Sequence, residues 1–250
     1  MFEKLTNYSF ESTSGKKVLI TGATTGIGRA TALMLARNGA HIMIVGRDKQ
    51  HLKATLKDLY KVAEGEVFDV IADLSTEQGI QEVFAAVETN FTTIDILINN
   101  VAAQFGNTTE GTYVDWQRVV NTNLVSYMAC CEEAMKRMDG KGHIVNIGSM
   151  SADVREETGS VYVATKAAIQ AFSEALRKRV NNDGIKVTLI EPGAVDTDMQ
   201  PQSTQKKKKM VEKGEMLDAD DIAATIYYCL SLPRRCDVVE LKIRPHLQII

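Results

Sequence analysis

A single α/β domain, built as a doubly wound parallel sheet of about seven strands with helices on both faces, is predicted by three observations. Short runs recur that are apolar almost throughout rather than alternating, as strands buried on both faces require. Stretches of helical period separate them. The first run leads directly into the glycine-rich turn Gly22-Ala23-Thr24-Thr25-Gly26-Ile27-Gly28 and then a helix.

In chain order, a polar N-terminal extension over residues 1–16 lacks the apolar core of a signal peptide. Residues 17–21 form the first strand, and Arg29–Asn38 the first helix, which Gly39 can cap. His41–Val45 reads as the second strand and Asp48–Val62 as the second helix. Further strands are expected at Val67–Ile71, Ile94–Ile98, Ile144–Ile147, Ile185–Ile190 and Val238–Ile243. Helices are expected between them at Glu77–Asn90, Trp116–Met138, Ser160–Asn181 and Asp218–Leu232. There is neither a linker rich in Pro, Gly or Ser nor a repeat of solenoid period, so residues 17–250 are read as one domain. Gly193–Glu215 is expected to be irregular, and a segment of that length inside a compact domain is commonly functional or mobile.

Composition narrows the function. The 250 residues are 44% hydrophobic and 24% charged, enough for a sizeable core. A net charge of −3 argues against nucleic-acid binding, which wants a basic surface. No apolar run approaches a membrane span. Cys130, Cys131, Cys229 and Cys236 have no metal-ligand spacing, no other ligand cluster suggests a metal, and the adjacent pair reads as buried thiols. A reduced, cytoplasmic protein is the expectation.

The glycine turn carries the first chemistry. Glycine permits unusual backbone angles and the close approach of a pyrophosphate, and the helix that follows offers free N–H groups and a positive dipole end. The spacing Gly22, Gly26, Gly28 is Gly-x-x-x-Gly-x-Gly, and Gly28 lets the helix pack tightly on the strand. A second constellation lies downstream. Tyr162 and Lys166, four apart, share one helix face, and Ser149 ends the strand-like run thirteen residues before Tyr162. An ammonium beside a phenol favours phenolate, so Tyr162 can exchange a proton with a substrate oxygen while Ser149 bonds the same oxygen.

Thr21-Gly22-Ala23-Thr24-Thr25-Gly26-Ile27-Gly28, Asn99-Asn100, Ser149, Tyr162 and Lys166, in this order and spacing, resemble the short-chain dehydrogenase/reductase family over nearly the whole chain. The resemblance implies a Rossmann-type fold and hydride transfer between a nicotinamide and a carbonyl or secondary alcohol, with no metal. It implies that Thr24, Thr25 and Ile27 join the glycines at the cofactor, that Asp73 and Leu74 meet the adenine, and that Asn100 ends the fourth strand beside it. Val101 and Ala102 stand where the family has Ala-Gly and add volume there. Pro192, Gly193, Val195 and Thr197 would bind the nicotinamide carboxamide. Lys166 would hold the nicotinamide ribose and lower the Tyr162 pKa, and Asn123 would position a water that relays protons through Lys166. Residues 193–215 correspond to the family's variable substrate lid, and a homodimer or homotetramer is implied, with contacts through the Trp116–Met138 and Ser160–Asn181 helices.

The second strand ends Val45-Gly46-Arg47, with Gly46 where NAD-specific members carry an acid. An acid would repel a 2′-phosphate, whereas Arg47 can pair with one, so NADP(H) is the expected cofactor and NAD(H) the alternative. The expected partner is a small carbonyl or alcohol. The run Lys206–Lys209 reads as a solvated face, with attraction of an acidic substrate as the alternative, and Arg155, Glu156 and Glu157 either line the pocket rim or are ordinary loop charges. NAD-dependent alcohol oxidation and reduction of 3-oxoacyl thioesters remain alternatives. A non-catalytic dinucleotide sensor would keep the glycine turn without needing Ser149, Tyr162, Lys166 and Asn123.

Overall fold

The computed structural model describes residues 9–157 and 159–248, so residues 1–8 of the expected extension and 249–250 lie outside it. The strands are β1 (Lys17–Thr21), β2 (His41–Gly46), β3 (Val67–Ile71), β4 (Ile96–Asn99), β5 (His143–Ile147), β6 (Lys186–Pro192) and β7 (Glu240–Ile243). The helices are α1 (Gly26–Arg37), α2 (Lys49–Val62), α3 (Glu77–Asn90), α4 (Tyr113–Val120), α5 (Ser126–Met135), α6 (Ser151–Val154), α7 (Ser160–Val180), α8 (Thr204–Glu212) and α9 (Ala219–Ser231). All strand pairs are parallel, in the order β3-β2-β1-β4-β5-β6-β7. The order reverses between β1 and β4. A crevice therefore opens beyond their carboxyl ends, the place where open α/β sheets bind ligands.

Alternate residues of the central strands feed opposite layers, which is why those strands show no polar face, whereas the edge strand β7 alternates Glu240 and Lys242 with Leu241 and Ile243. Val18, Ile20, Ile42, Ile44 and Ile98 pack with Leu35 of α1 and Ile222 and Ile226 of α9. Leu19, Met43, Val45 and Leu97 pack on the other side with Val83 and Phe84 of α3 and Cys131 of α5. Each such side chain contributes about 1.5–3 kcal/mol through burial. Side-chain caps start most of the helices: Asp48 accepts from the Gln50 and His51 N–H groups, Thr76 from Gly79, Thr112 from Asp115 and Asp218 from Asp220.

Three segments depart from the sequence reading. The first helix starts at Gly26 rather than Arg29, because its opening turn is built from glycines that propensity places outside a helix. The helix expected over Trp116–Met138 is two helices joined by a π-helical turn, Asn121–Val125, and the second ends at Met135. The Ser126 N–H reaches back five residues to the Asn121 carbonyl, and the side chain of Asn123 within the turn is bonded away from the helix. Residues 193–215 are not irregular throughout: α8 lies inside them, capped by Ser203, which accepts from the Lys206 N–H. Its lysines are good helix formers once a cap is present.

Candidate active site

A cleft of about 600 Å³ opens at the reversal point. Of the residues expected at a cofactor or in catalysis, Gly22, Thr24, Thr25, Gly26, Ile27, Arg47, Asp73, Leu74, Asn100, Ser149, Tyr162, Lys166, Pro192, Gly193, Val195 and Thr197 line it. Gly28 and Asn123 do not, and each has a structural explanation. A Cβ on Gly28 would fall 2.4 Å from the Gly22 carbonyl oxygen and 2.5 Å from Asn100 Nδ2, so Gly28 is where helix and strand touch.

Backbone geometry shapes the phosphate end. Gly22 and Gly26 have φ of +63° and +52°, the left-handed region that glycine favours. A Cβ on Gly22 would stand 2.7 Å from Val101 Cα. Asn100 fixes the turn, its amide donating to the Thr21 and Gly22 carbonyls at 3.1 and 2.8 Å. Thr21 completes the joint by accepting from the Asn100 and Val101 N–H groups at 3.0 and 3.2 Å. Thr25 stands at the N-cap of α1 without a side-chain bond to the helix, unlike the caps of α2, α3 and α9. The uncapped N–H groups and the side-chain-free cradle fit a pyrophosphate.

At the far end, a Cβ on Gly46 would meet Thr24 Cγ2 at 2.1 Å, so no acid fits there while Thr24 keeps its place. Arg47 lines the cleft with Asp73. Burial pulls the Asp73 carboxyl up, but bonds from the Ser75 hydroxyl and N–H, with the Arg47 and Arg118 charges, hold it below its usual value.

At the other end Ser149, from the turn after β5, and Tyr162 and Lys166, from α7, come together. Ser149 Oγ accepts from the Ser151 N–H at 3.1 Å, which leaves its own proton for an oxygen in the cleft. Lys166 is 1% exposed; its ammonium donates to the Ile147 carbonyl at 2.8 Å and lies 5.7 Å from the centre of the Tyr162 ring. The expectation of a lowered tyrosine pKa is not met. Burial pushes the Tyr162 phenol up to about 12, Ser149 opposes that by hydrogen bonding, and Glu156 adds to it. The lysine itself is drawn down by burial to about 8, with Glu191 opposing, so the same dry environment weakens the ammonium meant to stabilise the phenolate.

Asn123 is fully buried and its amide is spent: Oδ1 accepts from the Ala103 N–H at 2.7 Å, and Nδ2 donates to the Ala103 carbonyl and Thr165 Oγ1 at 2.9 and 3.1 Å. It pins the 101–104 segment to α7. The reading of Lys206–Lys209 as a solvated face fails at one residue. Lys207 is buried, pairing with Asp196 at 2.8 Å and donating to the Thr197 carbonyl at 2.7 Å, because helical period turns one lysine of the four inward.

Sequence reasoning missed Gln248, which lines the cleft from the far end of the chain and accepts from the Ala194 N–H at 3.0 Å. No spacing rule reaches a tail residue folded back onto a loop. It also missed a buried polar ladder in which Asn99 donates to Asn146 at 3.0 Å and Asn146 to Ser173 at 2.9 Å, tying β4 and β5 to α7. Glu156, left open as a rim or loop charge, lines the cleft. Cys130, Cys131 and Cys229 are buried, with burial raising all three thiols. Among the described residues, no cluster of three or more His, Cys, Asp or Glu could hold a metal, and no helix is long and apolar enough to cross a membrane.

Comparison with known proteins agrees with this geometry. Residues 16–208 match the short chain dehydrogenase family model. A serine 3-dehydrogenase of Agrobacterium fabrum is 33% identical over 235 residues, spanning 91% of this chain and 93% of that protein. An uncharacterized oxidoreductase of Staphylococcus epidermidis is 33% identical over 233 residues, spanning 92% and 97%. A crystal structure of a short chain dehydrogenase from Burkholderia cenocepacia in complex with NADP superposes with a TM-score of 0.83 at 26% identity, covering 94% of this chain and 98% of that one. The L-sorbose reductase of Gluconobacter frateurii, complexed with NADPH and L-sorbose, shares the fold with a TM-score of 0.83 at 24% identity, covering 95% and 98%. Matched by the family model over most of the sheet and by relatives over nearly all its length, the chain belongs to the short-chain dehydrogenase/reductase family, oxidoreductases that act between CH–OH and C=O groups.

Proposed function

We propose that this protein is an NADP(H)-dependent reductase of a small polar ketone or aldehyde. The observation that carries this reading is the convergence of Ser149, Tyr162 and Lys166 in the same cleft as the Gly22–Gly26 turn and Arg47. Tyr162, protonated in this dry setting, gives a proton to the carbonyl oxygen in reduction and takes it back in the reverse reaction. When bound, the nicotinamide supplies the hydride to the carbonyl carbon. Ser149 bonds and orients the carbonyl oxygen, Tyr162 protonates it, and Lys166 holds the nicotinamide ribose and returns a proton towards Tyr162. Because the Asn123 amide is committed to Ala103 and Thr165, its part in that relay runs through its main chain in the π-helical turn. Pro192, Gly193, Val195 and Thr197 would hold the nicotinamide, and Asp73 and Leu74 the adenine.

Arg47 beside the acid-free end of β2 recognises the 2′-phosphate, and the NADP-bound relative at 26% identity supports that choice. Glu156, Ser151, Gln104, Gln200 and Gln248 line the cleft together with Met150, Val154 and Met199, and these polar groups can bond a small polar carbonyl. Residues 193–215 act as the lid, fastened by Lys207. Tyr113, Val114 and Met128, exposed by 71, 69 and 42% on α4 and α5, suit a homodimer or homotetramer packed through these helices. Buried free thiols fit a reducing, cytoplasmic setting. A second reading, oxidation of a hydroxy amino acid, is favoured by the serine 3-dehydrogenase relative.

Titration with NADPH and NADH, followed by nicotinamide absorbance across a panel of polar ketones, sugars and L-serine, tests both. NADPH preference with ketone turnover supports the reductase. L-serine oxidation without ketone reduction replaces it with the second reading, and a preference for NADH removes the role given to Arg47.

A further inference from the structure

Strands β6 and β7 run parallel and end side by side, with Pro192 in register with Ile243. The chain that leaves β6 is the segment that would hold the nicotinamide, and the chain that leaves β7 is the C-terminal tail. The two stay bonded. The Gly193 N–H donates to the Ile243 carbonyl at 2.8 Å, and the Ala194 N–H to Gln248 Oε1 at 3.0 Å. A Cβ on Gly193 would fall 2.3 Å from that same oxygen and 3.0 Å from Arg244 Cβ, so the tail is seated directly on the segment. From the returning chain, the Leu217 N–H donates to the Ala194 carbonyl at 2.9 Å, and the Gly214 carbonyl accepts from the Leu247 N–H at 3.0 Å. The tail therefore meets the 193–215 segment near both of its ends. Ala194 is held from two sides, its N–H by the tail and its carbonyl by Leu217.

The tail carries its own support. The Gln248 N–H donates to the Pro245 carbonyl at 3.1 Å, closing a turn, and the Arg244 guanidinium donates to the carbonyls of Pro245 and Gln248. A backbone N–H beyond the end of a strand has no ladder partner, and leaving it unpaired away from water is costly. Gln248 supplies the partner for Ala194, and the N–H it meets decides which end of the amide is the oxygen. Gln248 also lines the cleft, together with Pro192, Gly193, Ala194, Val195 and Thr197.

We propose that Gln248 is a positioning residue: through its bond to Ala194, the C-terminal tail sets the backbone that receives the nicotinamide half of the cofactor. The proposal rests on the reading of residues 192–197 as the nicotinamide-holding segment. The acceptor oxygen is the working part. Glutamate at this position keeps it, whereas methionine, of similar length, offers only a weakly accepting sulfur. The adenine half of the cofactor would be met by other elements, Arg47 after β2 and Asp73 and Leu74 after β3.

The test compares wild type, Q248M and Q248E by equilibrium titration with NADPH and with 2′,5′-ADP, which has the adenine and the 2′-phosphate but no nicotinamide. Thermal midpoints confirm folding. Q248M is expected to bind NADPH about tenfold more weakly, the worth of one lost hydrogen bond, with Q248E within about twofold of wild type. Affinity for 2′,5′-ADP stays the same in all three. Wild-type NADPH affinity in Q248M overturns the proposal, and so does a Q248E as weak as Q248M. An equal loss of both ligands shows a general loosening and overturns it as well. If Q248M does not fold, Q248N, whose amide stops one methylene short, takes its place under the same criteria. A wild type that binds no NADPH overturns the nicotinamide reading itself, and the proposal with it, before any variant is made.

Discussion

At the phosphate end of the cleft the fold works through backbone. Gly22 and Gly26 hold left-handed angles, Gly28 lets helix touch strand, and Asn100 and Thr21 lock the turn to β1 and β4. Elsewhere in the cleft it works through side chains from separate stretches of chain: Ser151 and Glu156 after β5, Gln200 in the 193–215 segment, and Gln248 in the tail. A phosphate is met by N–H groups that every residue owns, so the sequence has only to keep side chains out. A substrate is met by chosen side chains, and these are free to come from anywhere the chain folds back. The first end is therefore stiff and intolerant, the second adjustable.

Substitutions at the two ends sharpen this contrast. The largest effects belong where the chemistry and the backbone joint admit no substitute. Tyr162→Phe is expected to lower kcat by about 10²–10⁴-fold while NADPH binding stays close to wild type, read by turnover and by cofactor titration. Gly28→Ala places a methyl against the Gly22 carbonyl and is expected to lose NADPH affinity and cut the thermal midpoint together. Comparable activity in Gly28→Ala would break the claim that this end is intolerant.

Arg47→Ala comes next, with an expected loss of about 1.5–3 kcal/mol in NADPH binding, as for a charged hydrogen bond, and NADH binding unchanged. Lys207→Met removes the Asp196 pair and the bond to the Thr197 carbonyl, loosening the 193–215 segment. Its expected signature is a several-fold rise in substrate KM with a smaller loss of cofactor affinity through Thr197, measured by steady-state kinetics; an equal loss in both would show that the two ends are not separable.

The smallest effect on activity is expected from His143, which lies in β5 and outside the cleft lining. Thr188 Oγ1 donates to the Val238 carbonyl, so the bond of 2.8 Å between this hydroxyl and His143 Nε2 has the imidazole as donor. Burial, with Lys186 and Arg234 adding, lowers its pKa to about 3. The folded state thus binds fewer protons than the unfolded chain. The contribution is fully present above about pH 6.5 and is lost as pH falls towards 3, by about 1.4 kcal/mol per unit of pH. Denaturant melts of His143→Gln against wild type between these limits should show a shallower acid loss in the variant.

What could be read from the sequence follows the same division. The central strands were legible because they are apolar on both faces, the edge strand β7 through Leu241 and Ile243 on one face, and the glycine turn because its spacing is dictated by backbone. Tyr162, Lys166 and Ser149 were legible as a constellation, yet the sign of the tyrosine shift was not. Residue types give the charge of a neighbour, while the depth of burial that pushes the phenol up to about 12 depends on the packed fold. Lys207 looked like its three neighbours until helical phase turned it inward. Gln248 carried no signal at all, because its meaning lies in which distant element it meets.

The contact waiting between position 46 and Thr24 bears on how such an enzyme changes its allegiance over evolutionary time. Gly46→Asp alone would drive its Cβ into Thr24 Cγ2, a methyl on a β-branched side chain with little freedom to swing aside. The first step away from a phosphate-bearing cofactor therefore requires Thr24 to turn to another rotamer or to shrink. A lineage, or a directed-evolution library, that samples one position at a time meets a ridge; one that replaces Thr24 with Gly or Ala first walks around it.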